Sequence, residues 1–346
     1  MNDVLPRPGP LLVDVAGLEL EDGDAAVLSH RGVGGVILFA RNYDSPDQVS
    51  ELIASMRAIR PNLLVTTDQE GGRVQRFRDG FTRVSSMGAI GRLAVRDRAA
   101  GIEAAREMAW LLASELSSVG VDMPLAPVVD LDYGVSEVIG DRAFADTADL
   151  VSDLAHAFMQ GLRDAGSAAT AKHFPGHGCV SADSHAELPV DRRELAQLDD
   201  DIEPYRRLIA DGLESLMMAH VRYPAVDALP ASLSRNWITD HLRGRLGFRG
   251  CVFCDDLSMG GAAAIGDYRE RARLAQTAGC DYVPVCNNRS AVLALLDAVL
   301  WDDEPACHRR ERLHAACNAR YLAGREISDK PRWHAAVALN ARLAEL

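Results

Sequence analysis

The sequence predicts an α/β fold, a single-domain (β/α)8 barrel of the TIM type. Three observations point there: eight short apolar runs, amphipathic helical stretches between many of them, and no break in composition along the chain. The runs cover residues 11–16, 36–40, 63–68, 123–130, 168–174, 215–221, 251–255 and 282–287. Most are continuously apolar rather than alternating, as parallel strands covered on both faces are. An open doubly wound sheet is the competing architecture, but it calls for a Gly-rich phosphate turn after an early strand, and no G-x-G-x-x-G occurs. At 346 residues the chain is long for one compact domain and ordinary for a barrel. Residues 1–300 are assigned to the barrel and 301–346 to C-terminal helices packed on it.

The helices between the runs carry recognisable starts, stripes and stops. Ser45-Pro46-Asp47-Gln48 places Ser at the N-cap, Pro at the first helical position and Gln three residues beyond the cap. Val49, Leu52, Ile53 and Met56 then form the stripe to be buried. Ala105, Met108, Ala109, Leu112, Leu116 and Val119 keep the same spacing up to Gly120, and Leu150, Val151, Leu154, Phe158 and Leu162 do so before Gly166.

Composition narrows the classes of function. With 50 acidic against 37 basic residues the net charge is −13, a field that repels phosphate backbones, so no nucleic-acid partner is expected. No basic tract suits an anionic membrane surface, and no apolar run approaches the roughly 18 residues of a membrane helix. The start, Met1-Asn2-Asp3-Val4-Leu5-Pro6-Arg7, lacks the pattern of a signal peptide. Seven cysteines without framework spacing suit a reducing compartment, so a cytoplasmic location is expected.

In a barrel, reactive groups gather where strands end. Here the runs end at or carry Asp68, Asp130, Lys172 with His173, His220, Asp255 and Asn287. For Asp130 a helix cap is an equal alternative. The densest segment is Lys172-His173-Phe174-Pro175-Gly176-His177-Gly178, continuing to Asp183-Ser184-His185. Pro175, Gly176 and Gly178 forbid a regular helix, leaving a shaped loop. Asp183 and His185 are the candidate proton-handling pair, because an imidazole titrates near neutrality and a carboxylate fixes its tautomer.

Two further segments carry chemistry. In Cys251-Val252-Phe253-Cys254-Asp255-Asp256, strand alternation puts Cys251, Phe253 and Asp255 on one face and Cys254 on the other. The C-x-x-C is therefore read as two small core residues rather than a metal clip. One of the paired acids is expected in the barrel mouth and the other on loop backbone, and periodicity does not say which. In Asp68-Gln69-Glu70-Gly71-Gly72-Arg73-Val74-Gln75-Arg76 the glycine pair signals a turn, placing Asp68 and both arginines on a tight βα loop. Arginine there suits a carboxylate or a fixed sugar hydroxyl.

These segments, with Ala126-Pro127-Val128-Val129-Asp130 and Gly140-Asp141-Arg142-Ala143-Phe144, occur in an order that resembles the β-N-acetylhexosaminidases of glycoside hydrolase family 3, in their short single-domain bacterial form. The resemblance spans roughly residues 10–290. It implies a retaining exo-hydrolase that releases N-acetylglucosamine from β-linked glycoconjugates. The implied substrates are N-acetylglucosaminyl-anhydromuramoyl peptides met in peptidoglycan recycling. Carried over by position, Asp255 is the nucleophile, His185 the acid–base and Asp183 its partner. Asp68, Arg76, Arg142, Lys172 and His173 match the positions that hold the sugar hydroxyls, with no cofactor and no metal. Cys254 stands where Ser or Thr is usual, and Cys179 where a polar or small residue is common.

The implied chemistry is double displacement through a covalent glycosyl-enzyme. A related β-glucosidase or glycoside phosphorylase is the near alternative. A metal-dependent barrel hydrolase using His173, His177, His185, His220 and Asp255 is a distant one, as is a non-catalytic sugar-binding barrel.

Overall fold

The computed structural model describes residues 7–181, 188–263, 265–296, 303–317, 327 and 330–346. Among the described residues ten strands appear, in chain order β1 (Leu11–Val13), β2 (Val33–Leu38), β3 (Leu64–Thr67), β4 (Gln69–Gly71), β5 (Val74–Gln75), β6 (Met123–Pro124), β7 (Thr170–Phe174), β8 (Ser215–Met218), β9 (Cys251–Phe253) and β10 (Val283–Pro284). All but β4 and β5 belong to the barrel wall and correspond one to one with the eight apolar runs. They form a sheet in the order β10-β1-β2-β3-β6 and a second, β7-β8-β9, with every pair parallel.

Single parallel bridges, Val128 with Lys172 and Phe253 with Tyr282, join the two sheets at both seams. At the first seam, regular pairing stops at Pro124 although strand character was expected as far as residue 130. Pro124 and Pro127 have no N–H to give a ladder. The chain nevertheless stays beside β7: Thr170 N donates to the Ala126 carbonyl at 2.8 Å and Val129 N to the Lys172 carbonyl at 2.8 Å.

Alternation along the strands separates two apolar layers. Leu12, Ile37, Leu64, Met123, Met217, Cys251 and Phe253 fill the barrel interior. Leu11, Val13, Val36, Leu38, Val65, Leu216, Val252 and Cys254 face the surrounding helices. The expected opposition of Cys251 and Cys254 is thus observed, and both thiols are free and buried.

The helices follow the periodicities read from the sequence. Pro46–Ile59 starts with Ser45 Oγ accepting from Gln48 N at 3.2 Å and buries Val49, Leu52, Ile53 and Met56. Arg98–Ser118 and Ala148–Asp164 bury their predicted stripes against each other and the wall. Helix Glu304–Ala316 lies across the N-terminal ends of the strands. Its Leu313 joins the interior cluster, and Arg310 donates to the carbonyls of Pro8 and Asp281 at 2.8 and 3.0 Å.

Candidate active site

The C-terminal strand ends surround a cleft of about 940 Å3. Its floor is apolar, from Ile37, Leu125 and Met217 of the barrel interior. Asp68, Arg76, Arg142, Lys172, His173 and Asp255 all line it, so six of the eight residues to which the resemblance gives a catalytic or sugar-holding role meet in one place. Asp183 and His185 lie outside the described residues; Ser181, just before them, lines the cleft.

One wall is a chain of alternating charges. Arg76 Nη2 donates to Asp68 Oδ2 at 3.0 Å, and Lys172 Nζ lies 3.1 Å from Asp68 Oδ1 and 2.7 Å from Glu70 Oε1. Arg142 grips Glu70 through two parallel bonds, Nε at 2.8 Å and Nη2 at 2.9 Å. Three cations and two anions thus alternate in a largely buried setting, with Lys172 and Glu70 each only 2% exposed. Burial alone would raise both carboxyls, yet the neighbouring cations win. Lys172 and Arg76 hold Asp68 well below the usual carboxylate range, and Arg142 with Lys172 bring Glu70 down to about 2. The guanidinium of Arg142, despite burial, is held more firmly protonated by Glu70.

Glu70 was not among the residues singled out from the sequence. Its partners lie 72 and 102 positions away, so no local pattern marks it. The segment that carries it also differs from expectation. Gly71-Gly72 does not make a simple βα loop but the tip of an antiparallel hairpin, β4 with β5. Buried Gln69 braces it, its Oε1 accepting from Arg76 N and Phe77 N at 2.9 and 3.0 Å. Arg73, at the tip, reaches across to the carbonyl of Glu137 at 3.1 Å.

On β7 the pairing with β8 slips by one residue between Lys172 and Phe174, leaving His173 without a partner across the ladder. A bulge of this kind re-aims side chains, and Lys172 and His173 both reach the cleft. Asp130, for which a helix cap was an equal reading, caps no helix. It is 1% exposed, takes His173 Nδ1 at 2.8 Å, and accepts the backbone N–H of His177 at 2.7 Å. The imidazole of His173 therefore meets the cleft with Nε2. Burial would raise Asp130, but His173 and His177 outweigh it and lower it; burial and then His173 make His177 harder to protonate.

The paired acids after β9 do not separate into one in the mouth and one on loop backbone: both line the cleft, and they differ in how many loop bonds each accepts. Asp256 accepts from the backbone of Ser258 and Cys286 at 2.9 and 3.2 Å and from the Ser258 hydroxyl at 2.8 Å, tying the β9 loop to the β10 loop. Burial is strong enough to raise its carboxyl to about 6 against those bonds. Asp255 uses Oδ1 to accept from Asp256 N at 2.9 Å, so the anchoring work falls on its neighbour. His220, another strand-end residue, contacts Ser232 Oγ and the Asp256 carbonyl and supports that loop from below. Among the described residues, no three His, Cys, Asp or Glu side chains are grouped to hold a metal.

The chain matches the glycosyl hydrolase family 3 N terminal domain over residues 11–308. It is 48% identical to a beta-hexosaminidase of Thioalkalivibrio sulfidiphilus over 332 residues, covering 96% of this chain and 95% of the relative. To a beta-hexosaminidase of Nitrosospira multiformis it is 51% identical over 296 residues, 85% of each chain. Among solved structures, NagZ from Neisseria gonorrhoeae, in complex with N-trifluoroacetyl-D-glucosamine, superposes with a TM-score of 0.90 at 38% identity, covering 98% of this chain and 99% of that one. With barrel, cleft and sequence in agreement over nearly its whole length, the chain belongs to glycosyl hydrolase family 3.

Proposed function

We propose that this protein is a retaining exo-β-N-acetylglucosaminidase in which Asp255 is the nucleophile, His185 the acid–base and Asp183 its partner. The observation that carries the reading is the placement of Asp255 on the same cleft as the buried Asp68–Lys172–Glu70–Arg142 chain and His173. Fixed charges and an oriented imidazole are what a pyranose ring with several hydroxyls requires of its pocket. The names of the relatives, and the N-acylated glucosamine bound in one of them, support N-acetylglucosamine as that ring.

In the first step an Asp255 carboxylate oxygen bonds to the anomeric carbon as the C–O bond to the leaving group breaks, and His185 gives its proton to the departing oxygen. In the second, His185 takes a proton from water, whose oxygen replaces Asp255 at that carbon. Two inversions return the β configuration. Asp68, Arg76, Lys172 and His173 hold the ring, and Arg142 acts there with Glu70. Asp256 stays on loop backbone.

The natural substrates in this reading are N-acetylglucosaminyl-anhydromuramoyl peptides from peptidoglycan recycling in the cytoplasm. Among the described residues no helix is long and apolar enough to cross a membrane. The test is a matched pair of chromogenic β-glycosides, the N-acetylglucosaminide and the glucoside, each with and without phosphate. Preferential, phosphate-independent hydrolysis of the N-acetylglucosaminide is expected. Preference for the glucoside, or turnover that requires phosphate, overturns the assignment in favour of a glucosidase or a phosphorylase.

A further inference from the structure

Helix Pro331–Leu343 lies beyond the residues matched to the family domain, and none of its side chains lines the cleft. It is nevertheless bonded into the segment on which the cleft rests. Asn340 is 7% exposed and spends both halves of its amide on one stretch of backbone. Nδ2 donates to the Arg83 carbonyl at 2.8 Å, and Oδ1 accepts from Ser85 N at 2.8 Å. Near the start of the same helix, Trp333 Nε1 donates to Glu115 Oε1 at 2.9 Å. Glu115 in turn accepts from Thr82 N and Thr82 Oγ at 2.9 and 2.7 Å. The helix thus holds a strap, residues 82–85, at both ends.

The β4–β5 hairpin lies on that strap. Gly72 N donates to the Val84 carbonyl at 2.7 Å, and Val84 N donates to Gln75 Oε1 at 3.1 Å. The approach is close enough that a Cβ on Gly71 would stand 2.6 Å from the Ser85 carbonyl oxygen. From this hairpin project Glu70, which holds Lys172 and Arg142, and just past it Arg76, which holds Asp68. Hydrogen bonds and the short stretches of backbone between them therefore link Asn340 through the strap and the hairpin to the charged wall of the cleft.

We propose that Asn340 is a positioning residue for the sugar pocket, clamping the strap so that the hairpin presents Glu70 and Arg76 in fixed geometry. The proposal rests on the functional reading above. Asp255 belongs to a different element, after β9, and contributes nothing to the strap or hairpin bonds just described. Loosening the clamp should therefore weaken ring binding more than it slows bond breaking.

The test compares Asn340→Ala with Arg332→Ala in the full chain. Arg332 docks the same helix through Glu107 at 2.8 Å and Asp164 at 3.2 Å, and none of these bonds reaches the strap. KM and kcat for the chromogenic N-acetylglucosaminide and Ki for free N-acetylglucosamine are measured well below each variant's Tm, with amide hydrogen exchange over residues 69–86. For Asn340→Ala, KM and Ki should rise about fivefold with kcat within about twofold, the size expected when roughly one hydrogen bond of ordering must be restored on binding. Exchange at Gly72 and Val84 should accelerate. Arg332→Ala should lower Tm and leave the other quantities as in the parent. Unchanged KM and exchange in Asn340→Ala overturns the clamp, and so does an equal rise of KM in Arg332→Ala. If Asn340→Ala does not fold, Asn340→Asp is measured in its place with the same expectations, because it keeps the acceptor for Ser85 and loses the donor to Arg83. If the parent hydrolyses no glycoside, the functional reading fails while the exchange at Gly72 and Val84 still decides the clamp.

Discussion

Replacing Glu70 by Gln removes one negative charge from the middle of the buried chain. The parent's sequence of charges, Arg76, Asp68, Lys172, Glu70 and Arg142, sums to +1; the variant's sums to +2 over the same side chains. A carboxamide offers one acceptor oxygen where the carboxylate offers two to Arg142 and Lys172. Glu70 falls from 4.5 to about 2 on folding, and each unit of such a shift is worth 1.36 kcal/mol, so its ionised form stabilises the fold by about 3 kcal/mol. That agrees with the roughly 3–5 kcal/mol cost of breaking a buried ion pair on one side. The sign follows from a lowered acid: the contribution is complete above the unfolded value and disappears as pH falls through the folded one. Urea denaturation of Glu70→Gln and the parent should therefore show a gap of about 3 kcal/mol at pH 7 that narrows between about pH 5 and pH 2. A gap below about 1 kcal/mol, or one that stays constant across that window, refutes the claim that Glu70 is ionised and holds both cations.

Asp256→Asn keeps all three anchoring bonds, with Oδ1 facing the two amides and Nδ2 facing the Ser258 hydroxyl. The parent carboxyl is raised by burial from 3.8 to about 6, so the fold binds that proton more tightly than the unfolded chain. The parent should thus gain stability relative to this variant as pH falls from about 6 to about 4, by about 2 kcal/mol, as denaturant titrations at several pH values would show. His185→Ala should lower kcat by roughly 10²–10⁴-fold, the usual worth of a general acid–base, while the Ki of N-acetylglucosamine changes little; near-parent turnover removes His185 from the mechanism. Gly178→Ala places a Cβ 1.8 Å from the Leu131 carbonyl oxygen and should cost about 1–3 kcal/mol of stability, read from the denaturation midpoint.

Much of this architecture can be read from the chain because the signals are local. The Ser45-Pro46 start and the 49-52-53-56 stripe are set by capping and helical spacing, and both appear as expected. The eight apolar runs become strands because each is covered on two faces, and their polar ends become the cleft for the same topological reason. What escapes the sequence is set by distant partners. Glu70 takes its meaning from Lys172 and Arg142, and Asp130 from His173. The hairpin depends on Gln69 and Gln75 turning their side chains inward onto backbone, which the glycine pair alone does not announce. Two-residue periodicity places Asp255 on a face but cannot say which of two adjacent acids takes the loop amides; those of Ser258 and Cys286 bond Asp256.

In the proposed mechanism Asp255, rather than its neighbour, makes the covalent bond to the sugar. Incubation with an N-acetylglucosaminyl donor fluorinated at C5, followed by proteolysis and mass spectrometry, tests it most directly. A single glycosylated peptide with the sugar on Asp255 is expected, and none after Asp255→Asn. A label on Asp256, or time-dependent inactivation with no covalent adduct, contradicts it.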